Sequence, residues 1–297
     1  MRKISPPCPL CGCSTADVYI DKRDQKLSSA ALGPSRRDVS PGRILRCRVC
    51  RFGFRQMRAE DEELLQLYHE LDSSMYQLEF RGRSKTAVRH LTIVHRYLSP
   101  GRLLDVGCAS GLFLRCAADA GWQITGVEPS KTLCDEARKV LAGRGELICA
   151  TLQESGLPMS SFDAVTLWDV LEHVRDPTQF MSACGSLLKP GGKLFVNVPD
   201  LDSLQARVLG ARWPLLLPEH LNYFNRKSLR FCGERAKLTW LHFGRRRAYF
   251  SLEYVLYRLA QHQSPGAAIG YRLMSRYAIG RTLIPVSLGE LYGVWRR

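Results

Sequence analysis

The sequence contains no apolar run of about 18 residues, the minimum that crosses a bilayer as a helix. It also contains no long low-complexity tract, and its 45% content of hydrophobic residues is ordinary for a globular protein. The first residues, MRKISPPCPLCGC, are partly basic but include no apolar stretch, so they do not resemble a secretory signal. These absences predict a chain without a transmembrane segment, and we expect it to be cytoplasmic.

Cysteine, in contrast, is abundant, with eleven residues. In a reducing compartment, Cys-x-x-Cys pairs are more typical of metal sites than of disulfides. Two such pairs occur, separated by 35 residues, and their four thiolates suit a tetrahedral zinc ion. The four residues are Cys8, Cys11, Cys47 and Cys50, with Cys13 as an alternative to Cys11. We predict a zinc-ribbon-like segment over residues 1–58 that holds a structural zinc, the alternative being four cysteines without metal.

The net charge of +15 is unevenly distributed along the chain. Residues 1–60 carry 13 Lys and Arg against 5 Asp and Glu, and residues 205–297 carry 16 against 4. Residues 61–204 are mildly acidic, with 14 against 19. Basic flanks attract nucleic acid, anionic lipid or a phosphorylated substrate, although an Arg-rich solvated surface explains them equally well.

The hydrophobic pattern predicts helices over residues 59–98, which we interpret as linker or cap helices. In the second of them, Val88, Leu91 and Val94 are expected to share one buried face. From residue 99 onwards, strand and helix patterns alternate, which predicts a parallel sheet covered on both faces. Ligands of such sheets bind at the carboxyl ends of the strands.

Near the end of the chain, two apolar segments are typical of closing antiparallel strands, with a helical insertion between them at residues 251–283. The insertion is expected to be a lid, a dimer face or a peripheral membrane contact. Three consecutive arginines at 245–247 either meet a phosphate-bearing acceptor or form a solvated hairpin turn.

The stretch LLDVGCASG at residues 103–111 ends a predicted strand in a glycine turn. It lacks the third glycine of a dinucleotide fingerprint and the lysine of a phosphate-binding loop. The order is Asp-x-Gly-x-Ala-x-Gly, and an acidic residue ends the following strand. This arrangement resembles motif I of the class I S-adenosylmethionine (SAM) methyltransferases. The residues concerned are Asp105, Gly107, Ala109, Gly111 and Glu128.

The resemblance continues in the family's order over roughly residues 100–232, through LPMSSFDAVTLWDVLEHVRDP, LLKPGGKLFVNVPD and PEHLNYFNRKSLRF. The last stretch is similar to the ubiquinone-methyltransferase-like branch. The resemblance implies an α/β fold with a Rossmann-like class I methyltransferase sheet over residues 99–297, preceded by the zinc ribbon and linker helices. It also implies SAM as the cofactor.

By the same resemblance, the backbone near Gly107 and Ala109 approaches the methionine part of SAM, and Asp105 orients that end. Glu128 accepts hydrogen bonds from both ribose hydroxyls. Leu152 and Gln153 are expected to flank the adenine, and Trp168 and Asp169 to line the pocket opposite the sulfonium. Many relatives have glycine where this chain has Ala109, which is tolerated if the φ angle there is negative.

Methyl transfer to a hydroxyl requires an aligned nucleophile and removal of its proton. His173 and His220 are the candidate general bases, with local packing roles as the alternative. In a metal-assisted variant, Asp169, Glu172 and His173 bind a divalent ion with His220 as a fourth ligand, as in some relatives that have an acidic-x-x-Glu-His pattern.

We therefore expect a SAM-dependent methyltransferase that acts by in-line transfer on a small-molecule or sugar or glycan-linked acceptor. One alternative is an RNA methyltransferase that uses the basic flanks and the ribbon. Another is a catalytically idle, zinc-dependent scaffold, which the intact cofactor motif disfavours. The sequence does not indicate an oligomeric state.

Overall fold

The computed structural model describes residues 7–21, 42–55, 79–261, 265–274 and 276–297. Parts of the predicted zinc-ribbon segment and of the predicted linker helices lie outside these residues. The described strands are β1 (Ala16–Asp21), β2 (Arg43–Cys47), β3 (Gly53–Arg55), β4 (Arg102–Val106), β5 (Gln123–Val127), β6 (Glu146–Ile148), β7 (Phe162–Trp168), β8 (Leu188–Pro199), β9 (Asn222–Tyr223), β10 (Thr239–Ser251) and β11 (Leu283–Arg296). The described α-helices are α1 (Phe80–His95), α2 (Leu112–Asp119), α3 (Lys131–Leu141), α4 (Pro177–Leu187), α5 (Leu204–Leu209), α6 (Arg226–Arg235), α7 (Leu252–Gln261) and α8 (Pro265–Met274).

The main sheet has seven strands in the order β10-β11-β8-β7-β4-β5-β6. Strands β8, β7, β4, β5 and β6 are parallel, and the β10–β11 hairpin joins β8 in antiparallel orientation. Because side chains alternate along a strand, neighbouring residues such as Leu103 and Leu104 enter separate apolar clusters on the two faces. The predicted Rossmann-like α/β sheet is confirmed.

A second sheet, of order β1-β2-β3-β9, joins the cysteine-rich segment to the rest of the chain. Its last strand, β9, comes from the methyltransferase-like region and pairs with β3. The two backbones approach closely, since a Cβ on Gly53 would lie 2.7 Å from Leu201 Cδ2 and 2.9 Å from Tyr223 Cβ. The predicted boundary between the ribbon-like segment and the main domain is therefore crossed by a sheet.

Helix α1 is the described part of the predicted linker helices, and it packs against α2 and β10. It buries Leu91 and Val94 as expected, but Val88 is 52% exposed. Ala87 and His90 are buried beside Leu91 and Val94, so the buried face of the helix extends toward His90 and leaves Val88 at its edge.

Strand β11 pairs with β8 from Glu290 to Arg296. On the other side of Glu290, β10 and β11 continue as a two-stranded hairpin, and α7 and α8 connect the ends of these two strands. These helices correspond to the predicted insertion. The segment after α8 exposes Tyr277 and Ile279, at 62% and 58%, next to exposed Arg276 and Arg281. Within the described ranges, no helix has both the length and the apolar character needed to span a membrane.

A disulfide joins Cys134 on α3 to Cys149 after β6, with a Cα–Cα distance of 6.0 Å. This spacing is typical of the bond. The sequence did not predict the pair, because the two cysteines are 15 residues apart and follow no recognised pattern. The bond also differs from the expectation that cysteines of this chain serve as thiols or metal ligands.

Candidate active site

The glycine turn connects β4 to α2 through three residues with positive φ angles: Gly107 at 71°, Ala109 at 47° and Gly111 at 76°. The Gly107 and Cys108 amides donate to Val127 O at 2.8 and 3.1 Å, which ties the turn to the end of β5. The condition under which alanine is easily tolerated at position 109, a negative φ, is not met. The turn holds this alanine in the left-handed region, which costs an L-residue about 1–2 kcal/mol.

Two buried carboxyl groups flank this turn. Glu128, directly after β5, accepts hydrogen bonds from the amides of Ala109 and Ser130, both at 2.9 Å. Asp105 at the end of β4 accepts from Thr166 Oγ1 at 2.6 Å. Burial raises the pKa of Asp105 to about 7 and also raises the pKa of Glu128, whose two amide donors oppose the shift. The structure thus places both predicted acidic residues at the carboxyl edge of adjacent strands.

The other predicted cofactor residues lie on the neighbouring strand ends. Leu152, in the loop after β6, is buried, whereas Gln153 beside it is exposed. Trp168 ends β7 and stacks on His90 of α1, with ring centroids 4.0 Å apart. Sequence reasoning missed His90, although its inward position follows from the helical period of α1.

The candidate bases come together after β7. His173 and His220 lie with ring centroids 4.8 Å apart, and one ligand atom from each of them and from Glu172 forms a set within 4.8 Å. The His173 Nδ1 contacts Glu219 O at 3.0 Å, and the His220 Nδ1 contacts Leu215 O at 2.9 Å. A carbonyl only accepts, so each Nδ1 carries the proton and each Nε2 keeps its lone pair.

The surroundings of this cluster favour neutral imidazoles. Burial lowers the pKa of His173 to about 4 and that of His220 well below its ordinary value. Burial and the nearby Asp169 carboxylate raise the pKa of Glu172 well above its usual range. Among the described residues, Glu172 Oε2 has no hydrogen-bond partner. Such an orphaned buried oxygen is a ready acceptor for a cation or a hydroxyl.

Asp169 does not join this cluster. Its carboxylate pairs with Arg246 of β10, at 3.0 and 3.1 Å, and also accepts from Asn197. Arg246 is further paired with Glu290 of β11. The middle arginine of 245–247 therefore lies within a strand, with its side chain 10% exposed and paired with two carboxylates, so neither a phosphate-facing cluster nor a solvated hairpin turn describes it. Sequence reasoning missed Glu290, because β11 reaches this site only through its sheet pairing with β8 and β10.

The four predicted zinc ligands also come together. Their sulfur atoms all lie within 4.8 Å of one another, with Cys8–Cys50 at 3.6 Å and Cys11–Cys47 at 3.5 Å. Sulfur atoms around a tetrahedral zinc are about 3.8 Å apart at the usual bond length. The hydrogen bond with the Cys50 thiol lowers the pKa of Cys8 to about 5, which favours a thiolate there. Cys13 instead contacts Thr15.

A parallel sheet with a positive-φ turn after its first main strand and a buried carboxylate after the next defines a class I SAM-dependent methyltransferase fold. Comparison with known proteins agrees. A family model described as a methyltransferase domain matches residues 81–242, more than half of the chain. The chain belongs to this methyltransferase-domain family.

Among curated proteins, the chain is similar to enzymes named ubiquinone biosynthesis O-methyltransferase. The one from Xanthomonas axonopodis pv. citri is 37% identical over 130 residues, which cover 41% of this chain and 54% of that protein. The one from Xanthomonas oryzae pv. oryzae is 40% identical over 136 residues, which cover 43% and 56%. The chain spans about half the length of the curated relatives that it matches.

Solved structures support the fold. A SAM-dependent methyltransferase from Leishmania major has a TM-score of 0.53 at 13% identity, covering 80% of this chain and 82% of that chain. The YcgJ protein from Bacillus subtilis has a TM-score of 0.51 at 12% identity, covering 71% and 97%. At these identities the likeness concerns the fold alone.

Proposed function

We propose that this protein transfers the methyl group of SAM to a hydroxyl group of a small-molecule acceptor. The observation that carries the proposal is the position of two sites at one edge of the sheet. The Gly107–Gly111 turn with Glu128 suits an adenosine-bearing cofactor, and the cluster of Glu172, His173 and His220 follows the adjacent strand β7. The similarity to enzymes named as O-methyltransferases supports a hydroxyl acceptor.

The residues around the turn fit SAM. The turn requires glycine at position 107, since its φ is 71° and a Cβ there would lie 2.7 Å from Val170 Cγ2. Glu128 is a buried acceptor for the ribose hydroxyls, and buried Leu152 offers an apolar contact for the adenine. When bound, SAM supplies an electrophilic methyl group. The chain holds the acceptor oxygen in line with that group and excludes water from it.

Without a bound metal ion, His173 or His220 would have to accept the proton of the acceptor hydroxyl. The Nδ1 hydrogen bonds to Glu219 O and Leu215 O orient both rings and leave the lone pairs at Nε2. An imidazole with a pKa of about 4 is a weak proton acceptor at neutral pH, because general bases work best with a pKa near the ambient pH. The cluster therefore needs help to ionise a hydroxyl.

We propose that a divalent ion provides this help, with Glu172, His173 and His220 as its protein ligands. The fit rests on the common 4.8 Å set of donor atoms and on the orphaned Glu172 Oε2. An ion there lowers the pKa of an acceptor hydroxyl, most effectively in a vicinal diol or catechol that chelates it. Asp169 does not bind the ion in this proposal, because its carboxylate is paired with Arg246. This ion pair instead stabilises the side of the site that β10 forms.

We further propose that Cys8, Cys11, Cys47 and Cys50 hold a structural zinc. The distances between the sulfur atoms support a closed tetrathiolate site. Metal analysis of purified wild-type protein and of Cys47→Ser tests this. One zinc per chain, lost in the variant, is expected, and zinc-free wild-type protein would refute it.

The methyl-transfer proposal is tested with SAM that carries a labelled methyl group, a simple catechol and a matched monohydroxyl phenol. We expect label on the catechol in the presence of Mg²⁺ or Zn²⁺, little label on the phenol, and a loss of at least about a hundredfold in Glu172→Gln. Binding of S-adenosylhomocysteine together with no transfer to any hydroxyl acceptor would reject the hydroxyl assignment. A glycan-linked or RNA acceptor stays a prediction from the sequence.

A further inference from the structure

The cysteine-bearing sheet is in direct contact with the loop that carries His220. Strand β3 pairs with β9, with Phe54 opposite Asn222, and the Arg55 amide extends the ladder by donating to Leu221 O at 2.9 Å. The Arg55 side chain is 8% exposed, and its guanidinium donates to Pro218 O. Arg55 thus holds both ends of the four-residue segment 218–221.

This segment is joined in turn to the chain that carries Glu172 and His173. The amides of Leu221 and Asn222 both donate to Glu172 O, at 2.8 and 3.0 Å. The Asn222 side chain donates to Leu171 O at 3.2 Å and to Val174 O at 2.6 Å. His173 contacts Glu219 O. A displacement of segment 218–221 therefore moves all three residues of the cluster.

The other end of β3 is fixed by the second cysteine pair. The Cys47 amide donates to Phe52 O at 2.9 Å, and Phe52 packs edge-on against Phe224 with ring centroids 5.0 Å apart. Asn225 donates to Arg51 O at 3.2 Å and caps α6. Contacts thus run without a gap from Cys47 through β3 to His220.

We propose that Arg55 is a positioning residue for the His173–His220 pair, and that an ion held by the four cysteines stabilises this position through β3. The inference deepens the proposed function, on which it rests, by making the cysteine segment part of the construction of the acceptor site. Arginine suits the role because its planar, permanently charged group can serve Pro218 O and the nearby Glu219 together.

The test measures the histidines themselves, at constant pH and without any ligand. Diethylpyrocarbonate, which modifies accessible neutral imidazoles, is applied to the full chain, and modification of His173, His220 and His90 is followed by mass spectrometry. Amide hydrogen exchange of residues 215–224 is recorded alongside. Exchange of β4 and β5 reports whether the main sheet is intact.

In Arg55→Met, we expect modification of His173 and His220 to become about tenfold faster, since losing a hydrogen bond from a charged donor changes a local opening equilibrium by about that factor. Arg55→Lys keeps a donor and should recover most of the protection. Arg43→Met is the matched control, because Arg43 lies on β2 of the same sheet but pairs with the exposed Asp21. His90 and the main sheet should stay unchanged throughout.

In Cys47→Ser, we expect the same faster modification of the two histidines. Unchanged histidines in Arg55→Met would overturn the role of Arg55, and a matching change at β4 and β5 would also overturn it by making Arg55 a general structural residue. Unchanged histidines in Cys47→Ser would overturn the role of the cysteines. None of these readouts needs SAM or an acceptor, so failure of the proposed function is seen separately, in the transfer assay.

Discussion

Replacing Glu128 by glutamine tests the cofactor site most directly, because the two side chains have the same shape. Glu128 accepts from two backbone amides, of Ala109 and Ser130. Glutamine offers one acceptor and one donor, so its NH₂ group must face one of these N–H donors. Leaving a buried amide unsatisfied costs about 1–3 kcal/mol, and we expect a fall of about 2 kcal/mol in the free energy of unfolding.

The effect on ligand binding should be larger. If the carboxylate takes both ribose hydroxyls, each charge-assisted hydrogen bond contributes about 1.5–3 kcal/mol. Glutamine keeps one of these two hydrogen bonds, without the help of the charge, and loses the other. The binding free energy should therefore weaken by about 2–4 kcal/mol. This corresponds to a rise in the Kd for S-adenosylhomocysteine of roughly 30-fold to 1000-fold. Isothermal titration calorimetry measures the Kd, and urea unfolding without ligand measures the stability.

Asp135→Asn is the control, because Asp135 lies on α3, is exposed, and within the described part of the chain pairs only with Arg138, in an i,i+3 ion pair. Its Kd should match the wild type. A Kd in Glu128→Gln within about threefold of the wild type, in protein that is still folded, would refute the ribose assignment. A stability loss without any change in Kd would mean that Glu128 only closes the turn.

Three further predictions concern stability and surface contacts. Ala109→Gly should raise the free energy of unfolding by about 0.5–1 kcal/mol in urea titrations, because relief of the left-handed conformation exceeds the added entropy of the unfolded chain; a destabilised variant would contradict this. The raised pKa of Asp105 means that its folded form binds a proton more tightly than its unfolded form, so stability is lost as the pH rises from about 4 toward 7. Relative to Asp105→Asn, the wild type should therefore lose stability over this range, by at most about 1.4 kcal/mol per pH unit, and parallel curves would contradict the assignment. Of the alternatives for the insertion, a membrane contact requires the protein to sediment with anionic phosphatidylglycerol vesicles, and Tyr277→Glu should weaken this while Met159→Glu, an exposed apolar position elsewhere, should not.

The glycine turn and the acidic residue after β5 were predictable, because their roles depend on short-range order along the chain. A strand that ends in Asp-x-Gly-x-Ala-x-Gly before a helix places its backbone and Asp105 at the sheet edge in any parallel arrangement. The sign of φ at Ala109 was not predictable, since it depends on how the turn is tied to Val127 and Glu128 of the next strand. Alanine alone favours negative φ.

The acceptor side was less predictable. His173 and His220 were identified as candidates, but their 4.8 Å ring separation depends on β9 and on the hydrogen bonds to Glu172 O. Asp169 was expected to line the pocket and, in one variant, to bind a metal. Its partner is Arg246, 77 residues away, which only the β10–β11 hairpin brings to it.

The sequence by itself determined the alternation of strands and helices, the cofactor turn and the two cysteine pairs, because these patterns are local and each is set by residues within a few positions of one another. The tertiary structure alone decided that the cysteine sheet pairs with β9, that Asp169 is bound to Arg246 rather than to the histidine cluster, and that Cys134 meets Cys149. Those contacts join residues that are far apart in the chain. Their partners are chosen by the packing of whole elements and by the high free-energy cost of leaving buried charges and backbone groups unpaired.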